Sequence, residues 1–243
     1  VVGGRPVVGL DDAELERLGP GAAKATTRDL AAAAARGLDA GTTVAATAFL
    51  ARRAGVAVVL TGGIGGAHAR PGPADVSADL VELARTRVCV VCSGPKAFLD
   101  AATTLEHLET LGVPVVGLGT DECPGFWTRS TGLRLPDRAD DVAAVARRWR
   151  AWCALDGPGA LLVFVPPPEP EALDPRESER AISRALHELE EREISGPDVT
   201  PFLLARVAAL TDGRSVRANL ALLEANARVA AAIARECPSG RAP

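Results

Sequence analysis

Apolar and polar residues alternate in blocks along this chain, and the blocks come in two lengths. Short apolar runs at Val7–Leu10, Val56–Leu60, Val88–Cys92, Val113–Leu118 and Ala160–Val165 have the length and the branched content of buried strands. Longer stretches with helical spacing lie between them: Asp11–Leu18, Asp29–Gly37, Thr43–Arg53, Ser77–Arg85, Lys96–Leu111 and Asp140–Leu155. Asp11 and Asp12 favour a helix start, where carboxylates meet the positive end of the dipole. Short strands separated by helices predict a parallel sheet covered on both faces. Pro166-Pro167-Pro168 ends the last strand. From Pro175 onward the pattern is helical only, over Glu177–Arg192, Pro201–Thr211 and Ser215–Arg235, with Ser215 a candidate cap for the last helix. This tail is too apolar to stand in water, so it is expected to pack on the body or across a subunit interface. No repeat, linker or boundary interrupts the 243 residues, and one domain is expected. The predicted fold class is α/β: three layers, α/β/α, with a mostly parallel sheet and a helical carboxyl tail.

Composition narrows the function. With 47% hydrophobic and 24% charged residues the chain is a folded globular protein, which excludes global disorder and a disulfide-stapled scaffold. A net charge of −4 gives no general attraction to nucleic acid or acidic membranes. No apolar run reaches the ~20 residues of a spanning helix. Val1-Val2-Gly3-Gly4 lacks the features of a signal peptide, so a cytoplasmic location is expected. Methionine is absent even at position 1, which suggests a chain that begins inside a longer reading frame or at an alternative start codon. Of the 27 basic residues only Lys24 and Lys96 are lysines. Arginine keeps its proton and cannot form a Schiff base, so two surviving lysines point to a need for an amine. The cysteines (Cys89, Cys92, Cys123, Cys153, Cys237) are odd in number and scattered, as free thiols in a reducing compartment are. Cys89 and Cys92 have a Cys-x-x-Cys spacing, but on a strand they point to opposite faces and cannot chelate together.

Candidate chemistry gathers at strand ends. Thr61-Gly62-Gly63-Ile64-Gly65-Gly66 follows the strand Val56–Leu60, where loops of an open α/β sheet line a ligand crevice. Its glycines could bring backbone N–H groups close to an anion, or form a plain strand-to-helix connection. His68 could bind phosphate or satisfy a buried backbone group. Asp75 and Ser77 are either helix caps or, with Asp79, donors to a hard divalent cation and phosphate oxygens. Ser93-Gly94-Pro95-Lys96 closes the next strand, and Lys96 at a helix start would have its pKa lowered by the dipole. Gly41-Thr42-Thr43-Val44 enters another helix, so its hydroxyls and amides could hold an oxyanion. Asn219 and Asn226, seven residues apart on the last helix, share a face that could reach a ligand or bond between helices.

These residues carry a resemblance. Thr61-Gly-Gly-Ile-Gly-Gly-Ala-His68, Asp75-Val-Ser-Ala-Asp79, Val91-Cys-Ser-Gly-Pro-Lys96 and Thr200-Pro-Phe-Leu-Leu-Ala-Arg206 resemble motifs of the pseudouridine-5′-phosphate glycosidase family, also called the indigoidine synthase A family. Gly41–Val44, Gly112–Gly117 and Phe126–Ser130 do so too, in order, from Val1 to about Glu236. The resemblance implies reversible cleavage of the carbon–carbon glycosidic bond of pseudouridine 5′-phosphate to uracil and ribose 5-phosphate, through a lysine Schiff base with the ring-opened sugar. By position it makes Lys96 the nucleophile and Asp75 the ligand of a divalent metal, typically Mn2+. It places Lys24, Val44 (through its N–H), Ser77, Ala78 and Asp79 against the substrate, with Thr61, His68 and Asn219 in the same pocket. It also implies a homotrimer acting on a small molecule, with no nucleic-acid or membrane partner.

Some features depart from the family's pattern. The family begins about sixty residues earlier, in a segment whose glutamate donates a proton, so residues 1–243 read as a single glycosidase-like domain truncated at its amino end. The Gly66–Asp75 loop is one residue shorter and contains Pro71 and Pro73, and Pro95 directly precedes Lys96. A second reading is therefore a non-catalytic phosphosugar- or nucleotide-binding remnant without its general acid. A third, a fragment of a fusion with a sugar kinase, finds no support in an end at Pro243.

Overall fold

Strand-forming runs that are apolar on both sides need a cover on each face, and the chain supplies two helical layers. The structure, a computed structural model, describes residues 1–19, 22–68 and 75–237. In chain order the elements are α1 (Asp12–Arg17), β1 (Ala23–Ala25), α2 (Leu30–Arg36), β2 (Ala40–Thr42), α3 (Val44–Arg53), β3 (Val58–Leu60), α4 (Ala78–Arg85) and β4 (Cys89–Cys92). They continue with α5 (Ala101–Thr110), β5 (Val115–Leu118), β6 (Arg138–Ala139), α6 (Val142–Ala154), β7 (Leu161–Phe164), α7 (Pro175–Glu191), α8 (Val199–Leu210) and α9 (Arg214–Glu236). Five strands form one parallel sheet in the order β3-β4-β7-β5-β6, and β1 and β2 form a separate parallel pair.

Alternation along the strands divides the core. Val90, Cys92, Leu162 and Phe164 pack against Ala48 of α3, Leu80 and Leu83 of α4, and Leu108 of α5. Their neighbours Cys89, Val91, Leu161 and Val163 face the other way, onto Val145 and Trp149 of α6 and Ala230 and Ile233 of α9. The three layers expected from the sequence are thus α3/α4/α5, sheet, and α6/α9. The tail packs on the body rather than standing apart: Leu189 of α7, Leu203 and Val207 of α8, and Leu222 of α9 close over Phe98, Phe126, Trp127 and Leu173. Cys89 and Cys92 lie in opposite layers, as their spacing predicts. Burial pushes the Cys92 thiol up to about 12 and raises that of Cys89 as well, so both are inert packing groups. Among the described residues no helix is long and apolar enough to cross a membrane.

Four expectations need correction. Val7–Leu10 is not a strand: Val8 is exposed and Gly9 turns the chain through a positive φ. The amino end is instead held by Val1, whose backbone exchanges both hydrogen bonds with Ala40, and by a bridge between Val2 and Arg5. The α5 helix begins at Ala101 with Asp100 as cap, so Lys96 precedes it by a turn. Ser215 does not cap α9, which follows Gly213; its N–H is bonded to Thr211 Oγ1 and its side chain is buried. The strands β1, β2 and β6 were not expected; they are two or three residues long. The shortened loop with Pro71 and Pro73 lies outside the described residues.

Leu162 occupies the middle strand and is fully buried. Leu162→Ala should lower the unfolding free energy by about 3 kcal/mol. Urea titration should show an earlier midpoint with an unchanged slope.

Candidate active site

The carboxyl ends of β3 and β4 open onto a cleft whose floor is one buried carboxylate. Asp79, 4% exposed on the first turn of α4, accepts from Ala45 N–H of α3 (2.8 Å) and from Gly65 N–H of the glycine loop (2.8 Å). It therefore joins a helix start, a loop and its own helix through charge-assisted bonds. Ser77 caps α4 by accepting from Asp79 N–H at 3.2 Å. Gly65 lies so close that a Cβ there would stand 2.2 Å from Ser77 Oγ. The glycines of this loop serve close packing, and the Gly65 amide is spent on Asp79 rather than on a ligand. Behind the loop Gly94, at φ +82°, allows an approach to Pro124 O that a Cβ would block at 2.4 Å.

Two adjoining cavities, about 320 and 340 Å3, share Lys24, Thr26, Ser77, Lys96 and Thr200. The first adds Val44, Thr61, Ala78 and Asp79; the second adds His68, Asp75, Arg28 and Phe98. All the residues expected at the site meet here except Asn219, which is half-buried beside Gly62 and lines neither cavity. Lys24 enters from β1, Val44 from the start of α3 and Lys96 from the turn after β4, so residues far apart in sequence converge on one space. The first turn of α3 is partly committed: Ala45 N–H goes to Asp79, Ala46 N–H to Thr43 Oγ1 and Thr47 N–H to Thr43 O. Val44 N–H has no protein partner among the described residues and borders the cavity, as an anion-binding amide at a helix start would.

Thr200, on the first turn of α8, borders both cavities and was not assigned to the site from sequence. Its motif was visible, but only the folding back of the tail brings it over the cleft. Thr26 and Thr47 are further hydroxyls on the wall that sequence reading passed over.

Lys96 is half-buried, and burial pulls its pKa below the ordinary amine value; Lys24 pushes the same way and Asp79 opposes. Desolvation, rather than a helix dipole, is the cause. Asp75 is open to solvent, with Oδ2 3.9 Å from His68 Nε2. Among the described residues no three His, Cys, Asp or Glu side chains converge into a metal cage. A single open carboxylate on a polar wall fits a hydrated hard cation that keeps most of its waters.

The electrostatics yield a signed expectation. The two lysines can be labelled as 13C-dimethylamines and titrated by NMR. Lys96 should titrate below the ordinary 10.5, and Lys24→Ala should move its midpoint upward, because removing a like charge stabilises the ammonium. An unmoved midpoint would show that the two amines do not sense each other.

Known proteins resemble this chain in sequence and in fold. The pseudouridine-5′-phosphate glycosidase of Gemmatimonas aurantiaca is 54% identical over 95% of this chain and 76% of its own length. That of Chloroflexus aurantiacus is 50% identical over 96% of this chain and 79% of its own. Among solved structures, the prealnumycin C-glycosynthase AlnA in complex with ribulose 5-phosphate superposes with a TM-score of 0.88 at 38% identity, over 97% of this chain and 79% of its own. The family model described as indigoidine synthase A like protein matches residues 1–236, cleft and helical tail together, and the chain belongs to that family.

Proposed function

We propose that this chain is a pseudouridine-5′-phosphate glycosidase, acting reversibly on the carbon–carbon bond between uracil and ribose 5-phosphate. The observation that carries the reading is the convergence of both lysines, the Val44 amide and Ser77 on one cleft, with the Lys96 amine held below its ordinary pKa. Relatives at about half identity bear that activity in their names, and a structural relative holds a pentulose phosphate.

A carbon leaving group cannot be released by protonating a nitrogen or oxygen, so the electrons of the breaking bond must pass into the uracil ring, pushed by an electron pair on the sugar side. Once the C1′–O4′ bond opens, with its electron pair and a proton on O4′ and the base's electrons drawn into a C1′=C5 double bond, Lys96 Nζ, as the free amine, adds to C1′ and gives up a proton while the drawn electrons return to the uracil ring. The nitrogen lone pair then forms the C=N bond while the electrons of the C1′–uracil bond pass to the base, which takes up a proton at that carbon. Water adds to the iminium and returns the Lys96 amine with ribose 5-phosphate. Lys24, Val44 N–H and the Ser77 hydroxyl hold the phosphate end, and Thr61 and Ala78 line the wall. Asp79 keeps a carboxylate near Lys96 while its oxygens fix the loop. Asp75, with His68 nearby, would hold a hydrated divalent cation, Mn2+ by resemblance, which supplies positive charge beside substrate oxygens. The resemblance assigns the proton donor to a glutamate in a segment that the family carries ahead of Val1.

Incubation with Mn2+, ribose 5-phosphate and borohydride, read by intact mass, should give a covalent sugar-phosphate adduct that is lost in Lys96→Arg. Folded protein without an adduct would instead favour the phosphosugar-binding remnant. The reading includes a homotrimer, and the α9 face carrying Val216 and Leu220, both exposed, supports a contact between chains. Light scattering should return a mass of three chains; a single-chain mass at micromolar concentration would remove that part.

A further inference from the structure

The turn that presents Lys96 is not an independent loop. It continues the β3–β4 pairing beyond both strands at an unchanged offset, Leu60 opposite Val91 and Ile64 opposite Pro95. Thr61 N–H donates to Val91 O (3.0 Å), Ser93 N–H to Gly62 O (2.8 Å), Ile64 N–H to Gly94 O (3.1 Å) and Lys96 N–H to Ile64 O (3.0 Å). The ladder has one flaw. A regular parallel pair would hand Thr61 O to Ser93 N–H, but that N–H goes one residue further, to Gly62 O. Thr61 O thereby loses its ladder donor in a half-buried segment, and a carbonyl shielded from water without a donor is costly.

Asn226 of α9, fully buried, fills that gap. Its Nδ2 donates to Thr61 O at 2.9 Å and to Ser93 Oγ, also fully buried, at 3.2 Å. One amide therefore touches both strands at the flaw, three residues ahead of Lys96. On the same segment Phe126 N–H donates to Ser93 O at 3.1 Å, from a backbone held at φ 65°, a costly setting for a residue with a side chain. Asn219, its neighbour one heptad earlier, makes no such bond and abuts Gly62.

We infer that Asn226 is a positioning residue for Lys96: by closing the flaw in the β3–β4 ladder it fixes the Thr61–Gly66 loop and the Ser93–Lys96 turn relative to each other, so that the amine keeps one setting in the cleft. It does not touch the substrate, and its effect is on the rate of the covalent step rather than on phosphate binding. The inference rests on the assignment of Lys96 as the nucleophile.

The test uses Asn226→Leu, which keeps the size and removes the amide, and Ser93→Ala, a milder change that removes one of its two partners. At saturating ribose 5-phosphate the borohydride-trapping rate per folded molecule should fall at least 10-fold in Asn226→Leu and at least 3-fold in Ser93→Ala. The half-saturating sugar concentration should change less than 3-fold. Independently of sugar chemistry, the Lys96 13C-dimethylamine resonance should broaden or shift while that of Lys24 stays put. A trapping rate within 3-fold of the unsubstituted chain in folded Asn226→Leu, with the Lys96 resonance unchanged and only the melting temperature lowered, overturns the inference. Should Asn226→Leu not fold, an unchanged rate and resonance in Ser93→Ala overturn it. Absence of an adduct in the unsubstituted chain would instead remove the nucleophile assignment, a result distinct from normal trapping in the variants.

Discussion

Asp79 is the constraint around which the cleft is built. A carboxylate so far from water must be met by donors, and the donors it takes are two backbone amides, one from α3 and one from the glycine loop. Satisfying that charge draws a helix start, a loop and α4 to within bonding distance of one another. The remaining features follow from the closeness this imposes. Gly65 has no room for a side chain, Ser77 is brought against the loop, and Val44, which lines the cavity, keeps an N–H with no protein partner among the described residues beside an Ala45 N–H that is already taken. A buried negative charge also tempers the company of two lysines, since it favours the ammonium of Lys96 while burial and Lys24 oppose it.

The layers were legible in the sequence because each depends on local pattern. Val88–Cys92 and Ala160–Val165 are apolar at every position, which is the mark of a strand covered on both faces. Ala23–Ala25 and Ala40–Thr42 have no such signal. They are strands because each supplies the other's hydrogen bonds, a matter of tertiary context that propensity does not carry. The error at Lys96 has the same origin. Helical spacing runs back to it, but the chain turns at Lys96, with Leu99 N–H on Lys96 O, and returns Asp100 N–H to Ala67 O before Asp100 caps the helix.

Much of the site was legible too, for a chemical reason rather than a structural one. In a chain that uses arginine almost everywhere, Lys24 and Lys96 stood out before any fold was known, and both border the same cleft. Thr200 could not be placed, because nothing near it in sequence says that α8 begins over the cleft. Asn219 and Asn226 looked equivalent at a spacing of seven. They differ because one heptad is about 10 Å along a helix axis, which puts Asn226 at the flaw in the ladder and Asn219 at the edge of the loop.

The helix that carries both asparagines runs for 23 residues, about 34 Å, with neither glycine nor proline inside it. Its first half belongs to the roof with α7 and α8, its middle meets the strand ends, and its last turns lie against α6 in the far layer. Such a rod has no built-in hinge. Its roof end cannot tilt without pressing its other end against Trp149 and Val145, so the packing of the layer behind the sheet restrains the helix that carries Asn226.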